Sequence, residues 1–440
     1  MQKRWTRIFA LAMGIPLLLA LLAACGSGTN TNSGGPSSSA PVVIKIATDL
    51  PVSGKDASDG KPPENGVHLA IDQANANHTI PGYTLQLLPK DDVGLSGSHD
   101  PAVGKQNVTA LIGDAEVAGI VGPLNSSVAQ SEMPVANQAP IALLSPANTN
   151  PCLTKNTALV GCTGSNDLLP VVRASGQVNY FRIATTDDHQ GPANADYLYN
   201  TQHYHKVYII DDAETYGIGI ANTFSAEWKK LGGTVLGHSS EPGTTTSYVS
   251  VLTLISSMHP DLIYFGGTTG TGGPLVRQQM QQVPALRNTP FAGGDGIVDT
   301  SFASTVGLTG GPVYATVATV DVNKLPSAAS FIAKYKSVYG PLGAYSAAGF
   351  DCGNIMIQAI KTALANGAQP PKNSDDAATA KTFRQAVINA LKGTDYTGVT
   401  GHQSFDANGD TTNKVISIYK LAANASGKPD WAYQVAVTVQ

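Results

Sequence analysis

The chain has 440 residues, with 27 Lys and Arg against 31 Asp and Glu and a formal net charge of −4. Charged residues make up 13% of it, about half the usual ~25%, which excludes a nucleic-acid binder and a coiled coil. The 42% hydrophobic fraction excludes a disordered chain, and four Cys are too few for a disulfide-built scaffold of this size.

Lys3, Arg4 and Arg7 precede an apolar stretch from Ile8 to Ala24 that Gly14 and Pro16 interrupt. A positive start followed by a short apolar run is the pattern of a secretory signal peptide. The run falls short of the ~20 apolar residues that a membrane-spanning helix needs. Its end, Leu22-Ala23-Ala24-Cys25, resembles the bacterial lipoprotein cleavage site. In that class the Cys becomes the lipid-bearing first residue of the mature chain. The expectation is a signal peptide over 1–24 and a lipid anchor at Cys25, which places the protein outside the bacterial cytoplasm, held to a membrane. Residues 25–41 read as a flexible linker: GSGTNTNSGGPSSSAP carries no charge and only small or polar types. Its r.m.s. reach is about 20–24 Å.

Beyond the linker, short apolar runs alternate with amphipathic stretches. Val42–Ala47 reads as a strand, and Val67, Ala70, Ile71 and Ala74 mark one face of a helix. Strand Tyr83–Leu88, helix Val103–Ile112, strand Gly119–Gly122, helix Val128–Gln138 and strand Ile141–Leu144 follow. The pattern restarts with strand Tyr180–Ile183, helix Gly191–Thr201 and strand Val207–Asp211. Then come helix Gly219–Leu231, strand Val235–Gly237, helix Tyr248–Met258, strand Asp261–Phe265, helix Leu275–Gln282 and strand Pro290–Ala292. Strand Tyr314–Val320 leads to helices at Ala328–Tyr339, Tyr345–Asn366 and Ala378–Leu391. Two strands, Val415–Leu421 and Trp431–Val439, end the chain. This order predicts an α/β protein with two parallel sheets covered by helices.

Open parallel sheets bind ligands beyond the carboxyl ends of their strands. The loops there are rich in Gly, Ser, Thr, Asn and Asp, which suits hydrogen bonding to a small polar solute. Cys152 and Cys162 lie close together in PCLTKNTALVGC, and an exported chain favours a small disulfide loop between them. Cys352 sits in an apolar helical run and reads as a small buried side chain. Asp406–Asp410 has neither the Gly position nor the closing Glu of a calcium loop, and reads as a β-turn. His203 and His205 lack a third ligand, so no metal is expected. No cofactor fingerprint is complete, since Asn222 stands where a dinucleotide loop needs Gly. Neither a nucleophile elbow nor a zinc-protease motif is present, and no enzyme is expected.

The loops themselves resemble those of the leucine/isoleucine/valine-binding protein family, the solute receptors of ABC importers. The likeness runs through IKIATDLPVSG (Ile44–Gly54), GPLNSS (Gly122–Ser127), SPANTNPCLT (Ser145–Thr154) and GVTGHQSFDANGD (Gly398–Asp410). DDAETYG (Asp211–Gly217) and GGDG (Gly293–Gly296) add to it. The resemblance implies a type I periplasmic-binding-protein fold: two doubly wound lobes joined by three crossover segments, with the ligand cleft between them. It implies a first lobe of residues 42–182 and 320–398 and a second of 183–319 and 399–440. It also implies that Ser126, Ala147 and Thr149 receive the head group of an amino acid, that Asp295 meets its ammonium, and that Tyr216 closes over it. At two wall positions the family has aromatics and this chain has Asp59 and Thr268, so the resemblance implies a ligand more polar than leucine. The expected partners are that small-molecule ligand and an ABC permease in the membrane, with the binding protein a monomer. A sensory receptor of the same fold, an exported α/β hydrolase and a structural surface protein are the competing readings.

Overall fold

The computed structural model describes residues 42–439. The signal peptide, the Cys25 anchor and the linker expected over 1–41 lie outside the described residues.

The first sheet forms from β1 (Val42–Leu50), β2 (Tyr83–Asp91), β3 (Val117–Val121), β4 (Ala142–Ser145) and β5 (Tyr180–Arg182). Its order is β2-β1-β3-β4-β5, and every pair is parallel. The connections carry α1 (Ala57–Ala76), α2 (Pro101–Gly113), α3 (Ser126–Gln138) and a single turn, α4 (Leu169–Val172). β3 and β4 are buried throughout, as strands covered on both faces must be. One face packs Ile44, Ile46, Val121 and Leu144 against Val67 and Ile71 of α1. The other packs Ile120 and Leu143 against Val108, Leu111 and Met133 of α2 and α3.

The chain then crosses to a second sheet through α5 (Asp187–Asp196). That region holds β6 (Lys206–Asp211), α6 (Thr215–Lys230), β7 (Thr234–Ser240), α7 (Val249–Ser256), β8 (Leu262–Gly266) and α8 (Gly273–Met280). β9 (Phe291–Gly293), α9 (Thr300–Val306) and β10 (Val313–Val317) complete its parallel part. α6 is anchored by aromatic stacking, with Phe224 against Trp228 and Tyr264. The chain returns to the first lobe as α10 (Ala329–Tyr339), α11 (Ser346–Ala365) and α12 (Ala377–Lys392), and α11 packs along α1. A short hairpin, β11 (Tyr396–Gly398) with β12 (Gly401–Gln403), leads into the third crossing. The last strands, β13 (Val415–Ala423) and β14 (Pro429–Thr438), extend the second sheet with antiparallel pairs, giving the order β14-β13-β10-β9-β8-β6-β7.

The three crossings meet at Thr185. Its N–H donates to the Ala318 carbonyl at 2.8 Å. Its hydroxyl donates to the Val415 carbonyl at 3.1 Å and accepts from the Val415 N–H at 3.1 Å. Beside it, buried Arg182 donates from Nε to Asp410 Oδ1 at 2.7 Å and from a guanidinium nitrogen to the Asn150 carbonyl at 2.7 Å. An ion pair with no exposed surface on its Arg therefore ties the first crossing to the third. Cys152 and Cys162 are joined by a disulfide, with their Cα atoms 5.7 Å apart, and Cys352 is free and buried.

Candidate functional site

A cavity lies between the two sheets. Both lobes line it. Ser126, Ala147 and Thr149 come from the first lobe, and Tyr216, Thr268 and Asp295 from the second. Asp59 faces the same space from the first turn of α1. All seven positions expected to touch a ligand thus meet in one cavity. Leu124 and Asn125 of GPLNSS and Gly296 of GGDG also line it, as does Tyr345, which lies in no motif read from the sequence.

The sheet topology explains this convergence. Ser126 is the first residue of α3, directly beyond β3, so free helix N–H groups gather beside it. Asn125 precedes it as the N-cap residue without a side-chain cap bond. Ala147 and Thr149 lie in the turn after β4, where the Ser145 hydroxyl accepts from the Ala147 and Asn148 N–H groups at 3.2 and 2.9 Å. The Thr149 carbonyl accepts from the Asp187 N–H at 2.8 Å, which fixes the turn against the start of α5. Thr149 Oγ1 is buried and has no partner, and neither has Asn125 Oδ1. Apart from Asp59, the first lobe therefore offers the Ser126 and Thr149 hydroxyls as neutral donors near a helix N-terminus, an environment that suits a carboxylate.

The second lobe offers the opposite. Asp295, buried beyond β9, is held by three donors. Gln190 Nε2 and Tyr216 Oη reach its Oδ1 at 2.6 and 2.8 Å, and Tyr345 Oη reaches its Oδ2 at 2.7 Å. Tyr216 Oη also accepts from the Gly296 N–H at 3.2 Å. A Cβ on Gly294 would collide with that hydroxyl, so glycine is required for Tyr216 to reach the carboxylate. Burial and the Asp295 charge push the Tyr216 and Tyr345 phenols well up, which keeps both as donors. Burial pushes the Asp295 carboxyl up, while the hydrogen bonds from Tyr345, Gln190 and Tyr216 oppose the shift. Behind it, Asp187 is buried with Oδ2 unpartnered, and burial and the Asp295 charge raise its carboxyl well above the usual range.

Asp59 is half-buried. Desolvation, followed by the charges of Asp299, Asp56 and Asp295, raises its carboxyl well above the usual range. The Thr268 hydroxyl is turned to Thr271 Oγ1 at 3.1 Å, so this wall position is polar but already engaged. Among the described residues no Lys, Arg or His lines the cavity. Its electrostatics are those of two acids facing hydroxyls and a helix N-terminus.

Direct bonds between the lobes close the mouth. Ser58 Oγ donates to Asp299 Oδ1 at 2.9 Å, Ser127 Oγ to Glu214 Oε2 at 2.9 Å, and Thr215 Oγ1 to Gln130 Oε1 at 2.7 Å. His99 is clamped between Asp56 Oδ2, 2.8 Å from Nδ1, and Glu214 Oε2, 2.9 Å from Nε2. Asp56 and His99 belong to the first lobe and Glu214 to the second.

The sequence profile of the family described as periplasmic binding protein matches residues 43–427. The chain belongs to the periplasmic binding protein family. Within it the relatives are the Leu/Ile/Val-binding proteins. The chain is 27% identical over 383 residues to the Leu/Ile/Val-binding protein BraC3 of Rhizobium johnstonii, covering 86% of this chain and 92% of that one. Its fold matches the leucine binding protein LivK of Thermotoga maritima with a TM-score of 0.72 at 21% identity, over 90% of this chain and 99% of that one. It also matches a solute binding protein of an ABC transporter from Rhodopseudomonas palustris, solved with 3,4-dihydroxybenzoic acid, with a TM-score of 0.69 at 18% identity over 90% and 98% of the two chains. By family the chain is thus a periplasmic solute-binding protein, and the solved structures that share its fold include solute-binding proteins of ABC transporters. Among the described residues no helix is long and apolar enough to cross a membrane.

Proposed function

We propose that this periplasmic binding protein captures an amino acid or a similar small polar zwitterion between its lobes and delivers it to a membrane permease. The observation that carries the reading is the split chemistry of the cavity. Asp295, positioned by Gln190, Tyr216 and Tyr345, is the acceptor for an ammonium group. Ser126, the Ala147 main chain and the unpartnered Thr149 hydroxyl are the donors for a carboxylate. Asp59 and Thr268 give the side-chain wall a polar character, so the preferred solute is more polar than leucine. A bare carboxylate, such as the dihydroxybenzoic acid bound by the Rhodopseudomonas palustris protein, would enter a cavity with two acids and no basic side chain. The lobes close by a hinge at the three crossings around Thr185. The body works as a monomer, tethered through lipid-modified Cys25, and presents its closed form to the permease.

A thermal-shift screen of amino acids, short amides and benzoates tests this reading. A solute at about 100 times its Kd adds ~2.7 kcal/mol to stability. The expected hits are zwitterions with polar side chains. Stabilisation by benzoates alone would refute the head-group assignment.

A further inference from the structure

Asp49, Asp92 and Glu132 lie outside the ligand cavity, at the carboxyl end of the first sheet. Asp49 is near the end of β1, Asp92 follows β2, and Glu132 is in the middle of α3. All three are fully buried, at 0% exposure. One carboxylate oxygen from each lies within 4.8 Å of the other two. Independently, five of their six oxygens accept no hydrogen bond: Asp49 Oδ2, both oxygens of Asp92 and both of Glu132. The sixth, Asp49 Oδ1, accepts from Asn107 Nδ2 at 2.9 Å, and that amide also donates to the Asp91 carbonyl at 2.9 Å. None of the three acids takes part in an ion pair among the described residues.

Three buried acids with five unmet oxygens need protons or a cation among them, because each uncompensated buried ion costs several kcal/mol. A proton shared between Asp49 and Glu132 neutralises one of the charges and leaves Asp92 with both oxygens unmet. A cation at the centre meets all three. The donors are all oxygen, which selects a hard ion over zinc or copper. Calcium takes six to eight oxygens at about 2.3–2.6 Å, and three carboxylate oxygens within 4.8 Å of one another can share one such ion. A fully buried set of three carboxylates suits calcium better than magnesium, which gives up its waters reluctantly and is usually held by only one or two carboxylates.

We infer that Asp49, Asp92 and Glu132 form a buried site for a hard divalent cation, calcium in the first instance, that pins β1, the segment after β2 and α3 together. The site lies one to two turns below Ser126 on the same helix, so its occupancy steadies the first-lobe wall of the cavity. It is a structural site and takes no part in ligand contact. Nothing in the local sequence signals it, since the three acids come from three separate segments.

The test uses the mature protein dialysed against chelator, then returned to calcium, to magnesium or to chelator alone at matched ionic strength. At a calcium concentration about 100 times its Kd, Tm should rise by about 3 °C for a chain of this length. Terbium luminescence, excited directly and reversed by calcium, reads the site without unfolding. Asp92→Asn preserves shape and should weaken the calcium midpoint at least tenfold, and Glu132→Gln should do the same. Equal Tm values in chelator and calcium, with no displaceable terbium signal, would overturn the site. So would a calcium response that survives in both variants. Both wild-type measurements are independent of whether a variant folds.

Discussion

Asp295→Asn separates the charge of this side chain from its shape. Asn can keep its carbonyl oxygen toward Gln190 and Tyr216 and place its amide toward Tyr345, whose hydroxyl rotates to accept. The fold therefore survives. The free protein should lose little stability or gain some. Burial raises the Asp295 carboxyl above its unfolded value, so its ionised form is costly at neutral pH and removing the charge relieves that cost. Ligand binding should behave differently. An ammonium placed in this cavity loses its charged partner, and truncating one side of a buried, hydrogen-bonded charge pair costs about 2–5 kcal/mol. At about 1.4 kcal/mol per factor of ten, Kd should rise roughly 30- to 4,000-fold. Calorimetric titration of the strongest zwitterionic ligand, beside thermal unfolding of the free protein, measures both sides. A Kd within threefold of the wild type, with the fold intact, would refute the ammonium contact.

The His99 clamp makes lobe closure sensitive to pH. Burial alone would lower its pKa, but hydrogen bonds to Asp56 and Glu214 and their charges outweigh it and hold the imidazolium well above the usual histidine range. Its stabilisation is therefore complete below the unfolded value of about 6.5 and fades as pH rises from there through the folded pKa. Tm of the liganded protein should fall across that interval, and His99→Gln should flatten the profile. An unchanged profile in the variant would contradict the clamp. Arg182→Met leaves Asp410 buried without its main partner and should cost about 3–5 kcal/mol in denaturant unfolding. It also frees the Asn150 carbonyl next to Thr149, so ligand affinity should fall with it. The double change Arg182→Met with Asp410→Leu should recover most of the stability. Reducing the Cys152–Cys162 disulfide, a closure over 10 positions, should cost about 2–3 kcal/mol.

The alternation of strands and helices was legible because β3, β4 and β8 are continuous apolar runs and the helices between them show one apolar face. The start of α1 was not. The stretch SGKDASDG reads as a loop, and the apolar helix face is marked only from Val67 onward. In the fold, Gly60 is buried against the Pro51 carbonyl, Pro62 and Pro63 fall in the second turn, and the helix begins at Ala57. Asp59 is thus fixed by a helix rather than carried on a loop. Parallel topology pointed to the strand-end loops, and the family resemblance picked Ser126, Ala147, Thr149 and Asp295 out of them. Tyr345 and Gln190 escaped because they lie just before α11 and in α5, more than 100 residues apart in the chain, and meet only at Asp295. A lone Tyr before a helix carries no local signal of that role. The pairing of Arg182 with Asp410, and the gathering of Asp49, Asp92 and Glu132, are hidden for the same reason. Such contacts are long in sequence and short in space.

The central claim is that the cavity reads both ends of a zwitterion. The most direct measurement compares, by calorimetry on the wild-type protein, the best-bound amino acid with its des-amino analogue and with its carboxamide. Loss of the ammonium should weaken binding at least about 30-fold, the low end of the cost of breaking a buried charge pair. Loss of the carboxylate charge should weaken it by a smaller but clear factor, since neutral donors and a helix N-terminus receive that end. Equal affinities for the amino acid and its des-amino analogue would contradict the account.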